Sequence, residues 1–139
     1  MSIRDRYQAY ADAFEESFAD DDWSHIEPYF TEDAVYRADG PDVEGRSAVL
    51  ARLKTGVDAF DRRMDSRTLS FEEPRVEGNR LTVAWSARYT KAGAPDLLIS
   101  GTETAEFSGD RIQVLAGEFD PTAQKAMGEW MAAHGAKLQ

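Results

Sequence analysis

The chain has 139 residues, a formal net charge of −10 and no cysteine. A chain of this length forms one compact domain and buries roughly 68–70% of its unfolded surface. Hydrophobic residues make up 42% of the sequence and aromatic residues 11%, which argues against a disordered protein. The lack of cysteine excludes disulfide scaffolds and thiolate sites, and the acidic charge argues against nucleic-acid binding, which needs clustered Lys and Arg.

The first residues, MSIRDRYQAY, contain no apolar run of signal-peptide length, and no segment is long and apolar enough to span a membrane. We therefore expect a cytoplasmic protein without a membrane partner. The histidines, His25 and His134, lie far apart in a sequence without cysteine, so we expect no metal site. The sequence also contains no GxGxxG motif and no P-loop, and we expect no cofactor.

Three helices are predicted in the N-terminal half. The first, from about residue 3 to residue 19, is indicated by apolar residues at three- and four-residue steps: Ile3, Tyr7, Tyr10, Ala11, Phe14 and Phe18. Asp22 is a plausible N-cap for a short second helix. The segment AVYRA has the composition of a strand, and a further amphipathic helix is predicted from about Arg46 to Arg62.

After residue 66 the apolar residues alternate with a period of two, which is typical of strands. The segments RTLSFEEPRVE, RLTVAWSARYT, LLISGTETAEF and RIQVLAGEF predict an antiparallel meander, and Pro121 opens a last helix that ends near Ala133. Helices followed by a run of strands indicate an α+β fold. Without a dividing linker, residues 1–139 form one domain, in which residues 121–139 are a C-terminal helical extension.

The sequence resembles the NTF2-like superfamily, and within it the SnoaL-like domain, in the opening helix and in the segments DDDWSHIEPYFTEDAVYR, EGRSAVLARL and TETAEFSGDRIQVLAGEFD. The resemblance covers residues from about Tyr7 to Asp120. It implies a cone-shaped α+β barrel, in which a strongly curved antiparallel sheet wraps around the N-terminal helices and leaves a ligand pocket at its open end. It also implies a homodimer that pairs through the sheet. This fold hosts isomerases, cyclases, hydrolases and binding modules, so the resemblance alone does not select an activity.

Ketosteroid isomerase is the best-understood relative with this layout. It polarises a carbonyl with a first-helix tyrosine and a strand carboxylic acid, and it moves the proton with an aspartate after the first strand. In this sequence the tyrosine position falls on Phe14, and Tyr10 lies one turn earlier. The position of the base falls on Ala38 or Asp39, and that of the acid on Glu103. The missing hydroxyl group at residue 14 argues against true ketosteroid isomerisation.

Glu103 is the first candidate catalytic residue. It shares one strand face with the apolar or small residues Leu97, Ile99, Gly101, Ala105 and Phe107. A carboxyl group among apolar neighbours has a raised pKa and can act as a general acid. Two structural alternatives stay open, because this face can be the solvated outer one, or Glu103 can form an ion pair with Arg88 on the neighbouring strand.

Asp39 is the second candidate catalytic residue. Arg37 and Asp39 lie on one side of an extended segment and Tyr36 on the other, so either Tyr36 or the Arg37–Asp39 pair faces the cavity. A buried carboxylate beside a guanidinium would stay ionised and could orient a substrate or a water molecule. Against this, the surrounding ADGPD sequence is strongly typical of a turn, and an Asp before Gly-Pro is more often a loop former.

Trp85 alternates along its strand with Val83, Ala87 and Tyr89, and can form a flat wall for a cyclic ligand or simply fill the core. The full set of candidate ligand-binding residues is Tyr10, Phe14, Tyr36, Arg37, Trp85, Arg88 and Phe119. We expect a small apolar or cyclic ligand. The protein would then be a cofactor-independent isomerase, cyclase or hydrolase, or alternatively a non-catalytic binding domain or a dimeric interaction module.

Overall fold

The computed structural model describes residues 2–38 and 40–138. The α-helices in these residues are α1 (Ile3–Asp20), α2 (Arg46–Ala59) and α3 (Pro121–His134). The strands are β1 (Phe30–Arg37), β2 (Val43–Glu44), β3 (Ser66–Phe71), β4 (Arg75–Glu77), β5 (Arg80–Thr90), β6 (Leu97–Ser108) and β7 (Arg111–Phe119). Short 3₁₀ turns span Trp23–His25, Glu27–Tyr29, Asp61–Arg63 and Gly135–Leu138. None of the described helices combines the length and the apolar composition that crossing a bilayer requires.

Local sequence explains where α1 begins and ends. The Ser2 hydroxyl accepts a hydrogen bond from the Asp5 amide at 3.1 Å, which caps the first turn. The helix ends at Asp21, whose φ of 59° is left-handed and whose amide donates to the Ser17 carbonyl at 2.8 Å. One face of α1 is buried against the sheet. The buried residues lie three or four positions apart, as expected for one side of a helix, and are Tyr7, Tyr10, Ala13 and Ser17.

The strands form one seven-stranded sheet in the order β2-β1-β7-β6-β5-β3, with β4 also paired to β5. The predicted meander is present in β5, β6 and β7, which pair antiparallel. The first predicted strand of that meander, residues 67–77, is divided into β3 and β4. Pro74 lies in the gap, since proline has no N–H group for a ladder hydrogen bond. β1 pairs parallel with β7, which the sequence did not indicate.

The sheet is curved, and β6 shows two local reasons for the curvature. Its register with β7 shifts between Glu106 and Phe107, and such a bulge bends a strand. At Gly101 an added Cβ would lie 2.3 Å from the Glu118 carbonyl oxygen and 2.9 Å from the Trp85 ring. Glycine is therefore required at this position, and the close approach lets Trp85 lie over β6.

Two apolar clusters lie on the concave side of the sheet. The first packs α1 and the 3₁₀ turns against the sheet through fully buried residues such as Ile26, Phe30, Leu81, Ile112 and Leu115. The second joins α3 to the opposite end of the sheet, where Trp130 is buried beside Tyr89 and Ile99. The fold is thus the expected α+β cone with a curved sheet around helices and a C-terminal helix.

Candidate functional site

A cavity of about 370 Å³ lies between the helices and the concave face of the sheet. Its volume is within the range of about 300–1,000 Å³ that is usual for small-molecule sites. Most of its wall is apolar, and residues from all three helices and from the sheet contribute, among them Phe14, Leu53, Trp85, Ile99, Phe119 and Met127. The Trp85 and Phe119 rings meet edge to face with centroids 5.7 Å apart.

Glu103 lies near the middle of β6 and its side chain lines this cavity. Its partners across the sheet are Val83 on β5 and Gly117 on β7. Since Gly117 has no side chain and the space at its Cβ position is open, room remains beside Glu103. The Tyr7 hydroxyl of α1 donates a hydrogen bond to the Glu103 carboxyl group. Of the strand faces that the sequence left open for Glu103, the structure has the inward one.

Burial raises the pKa of Glu103 above its ordinary value, and the hydrogen bond from Tyr7 only partly opposes this effect. In the described part of the chain, no Arg or Lys forms an ion pair with Glu103. A carboxyl group that is buried without a cation favours the protonated form, because ionisation in an apolar environment is unfavourable. Glu103 is therefore suited to exchange a proton with a ligand bound in the cavity.

Tyr7 and Tyr10 place two phenol groups beside Glu103. Burial raises the pKa of both, and the charge of Glu103 raises it further, so both stay protonated donors. The Tyr10 side chain lines the cavity and donates no hydrogen bond to another described residue. The hydroxyl group that is missing at Phe14 is thus supplied by neighbours on the same helix face. The sequence pattern had indicated Tyr7 only as part of that apolar face.

The first strand turns Tyr36, not Arg37, toward the cavity. Arg37 is exposed and its Nε donates to Asp42 at 3.0 Å. Arg88 also lies outside the cavity, where its Nε donates to Asp96 at 2.9 Å, so the alternative pair between Arg88 and Glu103 does not form. Asp39 lies outside the described residues, and its proposed catalytic role stays a prediction.

A second polar group at the cavity, here called the Asp61 cluster, consists of Glu15, Asp61, Arg67 and Tyr89. The Arg67 guanidinium donates to Asp61 at 2.8 Å and to Glu15 at 2.8 Å and 3.2 Å. The Tyr89 hydroxyl donates to Asp61 at 3.1 Å. The cluster joins α1, the turn after α2, β3 and β5. Burial raises the pKa of Asp61, an effect that Arg67 opposes.

The Asp61 cluster was not predicted from the sequence, because the apolar pattern of α2 extends to about Arg62 and places Asp61 within the helix. The helix ends at Ala59 instead, and a 3₁₀ turn at Asp61–Arg63 directs Asp61 to the cavity. Arg52 on α2 was also not predicted as a site residue, although its side chain lines the cavity. Among residues 2–38 and 40–138, no His, Asp and Glu side chains converge as a metal site.

The family model of the SnoaL-like domain matches residues 8–115. The chain belongs to the SnoaL-like domain family. A comparison with curated proteins gives no match. Three similar solved structures share the fold of this SnoaL-like protein, and each is less than 25% identical to it in sequence.

An NTF2-like protein of unknown function from Burkholderia pseudomallei is 17% identical, with a TM-score of 0.68 over 94% of this chain and 98% of that one. A protein from Shewanella denitrificans, provisionally assigned as a SnoaL-like polyketide cyclase, is 12% identical, with a TM-score of 0.70 over 95% and 98% of the two chains. TerC, co-crystallised with polyporic acid, is 15% identical, with a TM-score of 0.64 over 89% and 98%.

Proposed function

We propose that this protein binds a small, apolar ring compound in the cavity and catalyses proton transfer at a carbon atom next to a carbonyl group, without a cofactor. The observation that carries the proposal is Glu103, a carboxyl group that lines an apolar cavity beside tyrosine hydroxyls, has a raised pKa and forms no ion pair with a cation in residues 2–38 and 40–138. Perturbed carboxyl groups in cavities are typical of acid–base catalysts.

In the proposed step, the Glu103 carboxylate accepts the proton of the C–H bond, and the bonding electrons form an enolate. The Tyr10 hydroxyl donates a hydrogen bond to the enolate oxygen. Such a donor stabilises the charge that develops in the transition state. Return of the proton from Glu103 to a different atom completes an isomerisation. Alternatively, the enolate carbon attacks a second carbonyl carbon and closes a ring, the C=O π electrons pass to the oxygen, and Glu103 gives its proton to the resulting alkoxide.

Two further observations support this class of substrate. The Trp85 and Phe119 rings give the cavity flat, apolar walls that fit a ring compound. The similar structure from Shewanella denitrificans is provisionally assigned as a polyketide cyclase, and TerC was crystallised with polyporic acid. The alternative function, binding without catalysis, needs the same cavity but no proton transfer, and the experiment below separates the two.

The test uses β-tetralone, a bicyclic ketone with exchangeable protons next to its carbonyl group, in deuterium oxide. Proton NMR measures both its binding and the rate at which those protons exchange. We expect the wild-type protein to accelerate exchange. In Glu103→Gln the rate of protein-catalysed exchange should fall by about 10²–10⁴-fold, since this is the usual contribution of a general acid or base. The glutamine keeps an oxygen that accepts the Tyr7 hydrogen bond, so the fold is retained.

Glu118→Gln is the matched control, because Glu118 is an exposed carboxylate on the neighbouring strand β7. This variant should accelerate the exchange of the β-tetralone protons as much as the wild type does. If the wild-type protein binds the ketone without accelerating exchange, the catalytic proposal is wrong and the protein is a binding domain. If β-tetralone does not bind, the proposed ligand class is wrong as well.

A further inference from the structure

Arg52 is a charged side chain of the cavity that forms no hydrogen bond or ion pair with another described residue. It lies in α2, half-buried, and its guanidinium carbon is 5.9 Å from the centroid of the Tyr36 ring. No carboxylate in residues 2–38 and 40–138 forms an ion pair with it. The contact with the Tyr36 ring uses none of the guanidinium N–H groups as hydrogen-bond donors to a carboxylate, so they are available to another partner.

The carboxylates that line the cavity already have other partners. Glu15 and Asp61 are bonded to Arg67, and Glu103 accepts a hydrogen bond from Tyr7. Arg52 therefore brings a positive charge to the cavity that the described part of the chain does not neutralise. In a protein with a net charge of −10, which repels anions at long range, such a group favours an anionic ligand locally.

Gly56, one turn after Arg52 on α2, gives the guanidinium its space. A Cβ atom at residue 56 would lie 3.1 Å from Arg52 Nη1, a contact closer than ordinary van der Waals distance. Residues i and i+4 of a helix lie on the same face, so the side chain at position 56 decides how far the Arg52 head group can fold toward the cavity. An alanine at position 56 would therefore shift the Arg52 guanidinium by a few tenths of an ångström.

We infer that Arg52 binds a carboxylate group of the ligand, so that the substrates of this cavity are ring-containing carboxylic acids. This inference rests on the proposed function and specifies its substrate class. The guanidinium presents paired N–H donors that match the two oxygens of a carboxylate, and such charge-assisted pairs are stronger than neutral hydrogen bonds. The ring of the ligand would contact Trp85 and the other apolar walls, while Arg52 fixes its orientation toward Glu103.

The test compares two ligands with the same ring system, β-naphthoate and methyl β-naphthyl ketone, in which a methyl group replaces one carboxylate oxygen. Calorimetric titration measures both affinities. We expect Arg52→Gln to weaken β-naphthoate binding about 10- to 100-fold, the usual effect of losing hydrogen bonds between charged groups. The affinity for the neutral ketone should not change. Arg52→Lys keeps the charge but loses the paired donors, and should fall between wild type and Arg52→Gln.

Arg111→Gln is the matched control, since it removes the same charge from an exposed position at the start of β7. It should bind both ligands like the wild type, which shows that net charge does not explain the effect. If wild type and Arg52→Gln bind β-naphthoate equally well and both bind the ketone, the inference about Arg52 is overturned while the apolar cavity of the proposed function stands. If the wild type binds neither ligand, the proposed function and the inference both fail.

Discussion

The cavity contains two regions built from the same chemical groups in different arrangements. In the Asp61 cluster, the guanidinium of Arg67 is bonded to two carboxylates, and a tyrosine completes the network. The second region, here called the Glu103 group, consists of Tyr7, Tyr10, Tyr36 and Glu103. Arg52 lines the same cavity, but it forms no ion pair with Glu103 or with another carboxylate of the described residues. Ion pairs within the Asp61 cluster hold several elements together, whereas Glu103 and Arg52 face the cavity without an ion pair among the described residues.

Burial explains why this difference matters energetically. The Arg67 side chain is 8% exposed and that of Asp61 is 20% exposed, so removal of either partner leaves a charge in an environment that solvates it poorly. Burial raises the pKa of Glu103, and no cation among the described residues opposes this shift, so a bound proton can remove the penalty of a buried charge. The Asp61 cluster therefore links helix and sheet through buried ion pairs, whereas Glu103 faces the cavity without an ion pair in the described part of the chain.

The largest expected effect is the loss of stability in Arg67→Met. Removing the guanidinium leaves Asp61 and Glu15 unpaired, and breaking a buried ion pair costs about 3–5 kcal/mol. Urea unfolding near neutral pH measures this change. The loss should be smaller at acidic pH, because the pKa of Asp61 rises further without Arg67 and the protonated carboxyl group no longer needs a partner.

Arg88→Met gives the matched control for that experiment. Arg88 also pairs with an aspartate, Asp96, but its side chain is 62% exposed. An exposed pair contributes only about 0–1 kcal/mol because water screens it. Equal destabilisation by the two substitutions would contradict the distinction between a buried structural cluster and surface ion pairs.

Tyr7→Phe tests the Glu103 group directly. The substitution removes the hydrogen bond to Glu103, which acts to lower the pKa of that carboxyl group, so the pKa should rise further. Leaving a buried acceptor without its donor costs about 1–3 kcal/mol. A carbon NMR titration of the Glu103 carboxyl measures the pKa, and chemical unfolding measures the stability. Tyr89→Phe should leave the Glu103 titration unchanged, since Tyr89 bonds to Asp61.

Glu103→Gln should change how stability depends on pH. The pKa of Glu103 is raised in the folded protein above its ordinary value of 4.5, so folding favours the protonated form. Relative to Glu103→Gln, the wild type is then most stable below pH 4.5 and loses stability as the pH rises toward the folded-state pKa. Thermal unfolding of both proteins from acidic to mildly alkaline pH measures the difference. A constant difference would mean that the Glu103 pKa is not raised.

Much of the fold follows from local patterns in the sequence. The apolar steps of α1 and the alternation in β5 and β6 are local patterns. The alternation showed which residues share a strand face with Glu103 or with Trp85, but it left open whether that face points toward the cavity, as it does in the structure. The parallel pairing of β1 with β7 joins residues far apart in sequence, and no local pattern encodes it. The choice between Tyr36 and Arg37 also depended on that pairing, because either face of an isolated strand can point inward.

The candidate site was only partly predictable, for reasons that differ between residues. Tyr7 fits the apolar face of α1, so its hydrogen bond to a strand carboxyl group could not be distinguished from core packing. The direction of the Asp61 side chain depends on where α2 ends, and a periodic pattern predicts the ends of a helix less well than its middle. Arg37 and Arg88 were included for their charge, but each has an exposed aspartate near it in sequence, which forms its partner.

Gly56→Ala should have the smallest effect. The substitution separates the influence of Gly56 on helix stability from its influence on the position of the Arg52 guanidinium. Alanine favours a helix interior by about 1 kcal/mol over glycine, so the variant should be slightly more stable. Its Cβ atom would displace the Arg52 guanidinium, because the two would lie 3.1 Å apart, and β-naphthoate affinity should fall several-fold. Gly128→Ala in α3 is the control, since nothing lies within 4 Å of its added Cβ. It should gain stability without losing affinity. Equal naphthoate affinity in the two variants would show that Gly56 does not position Arg52.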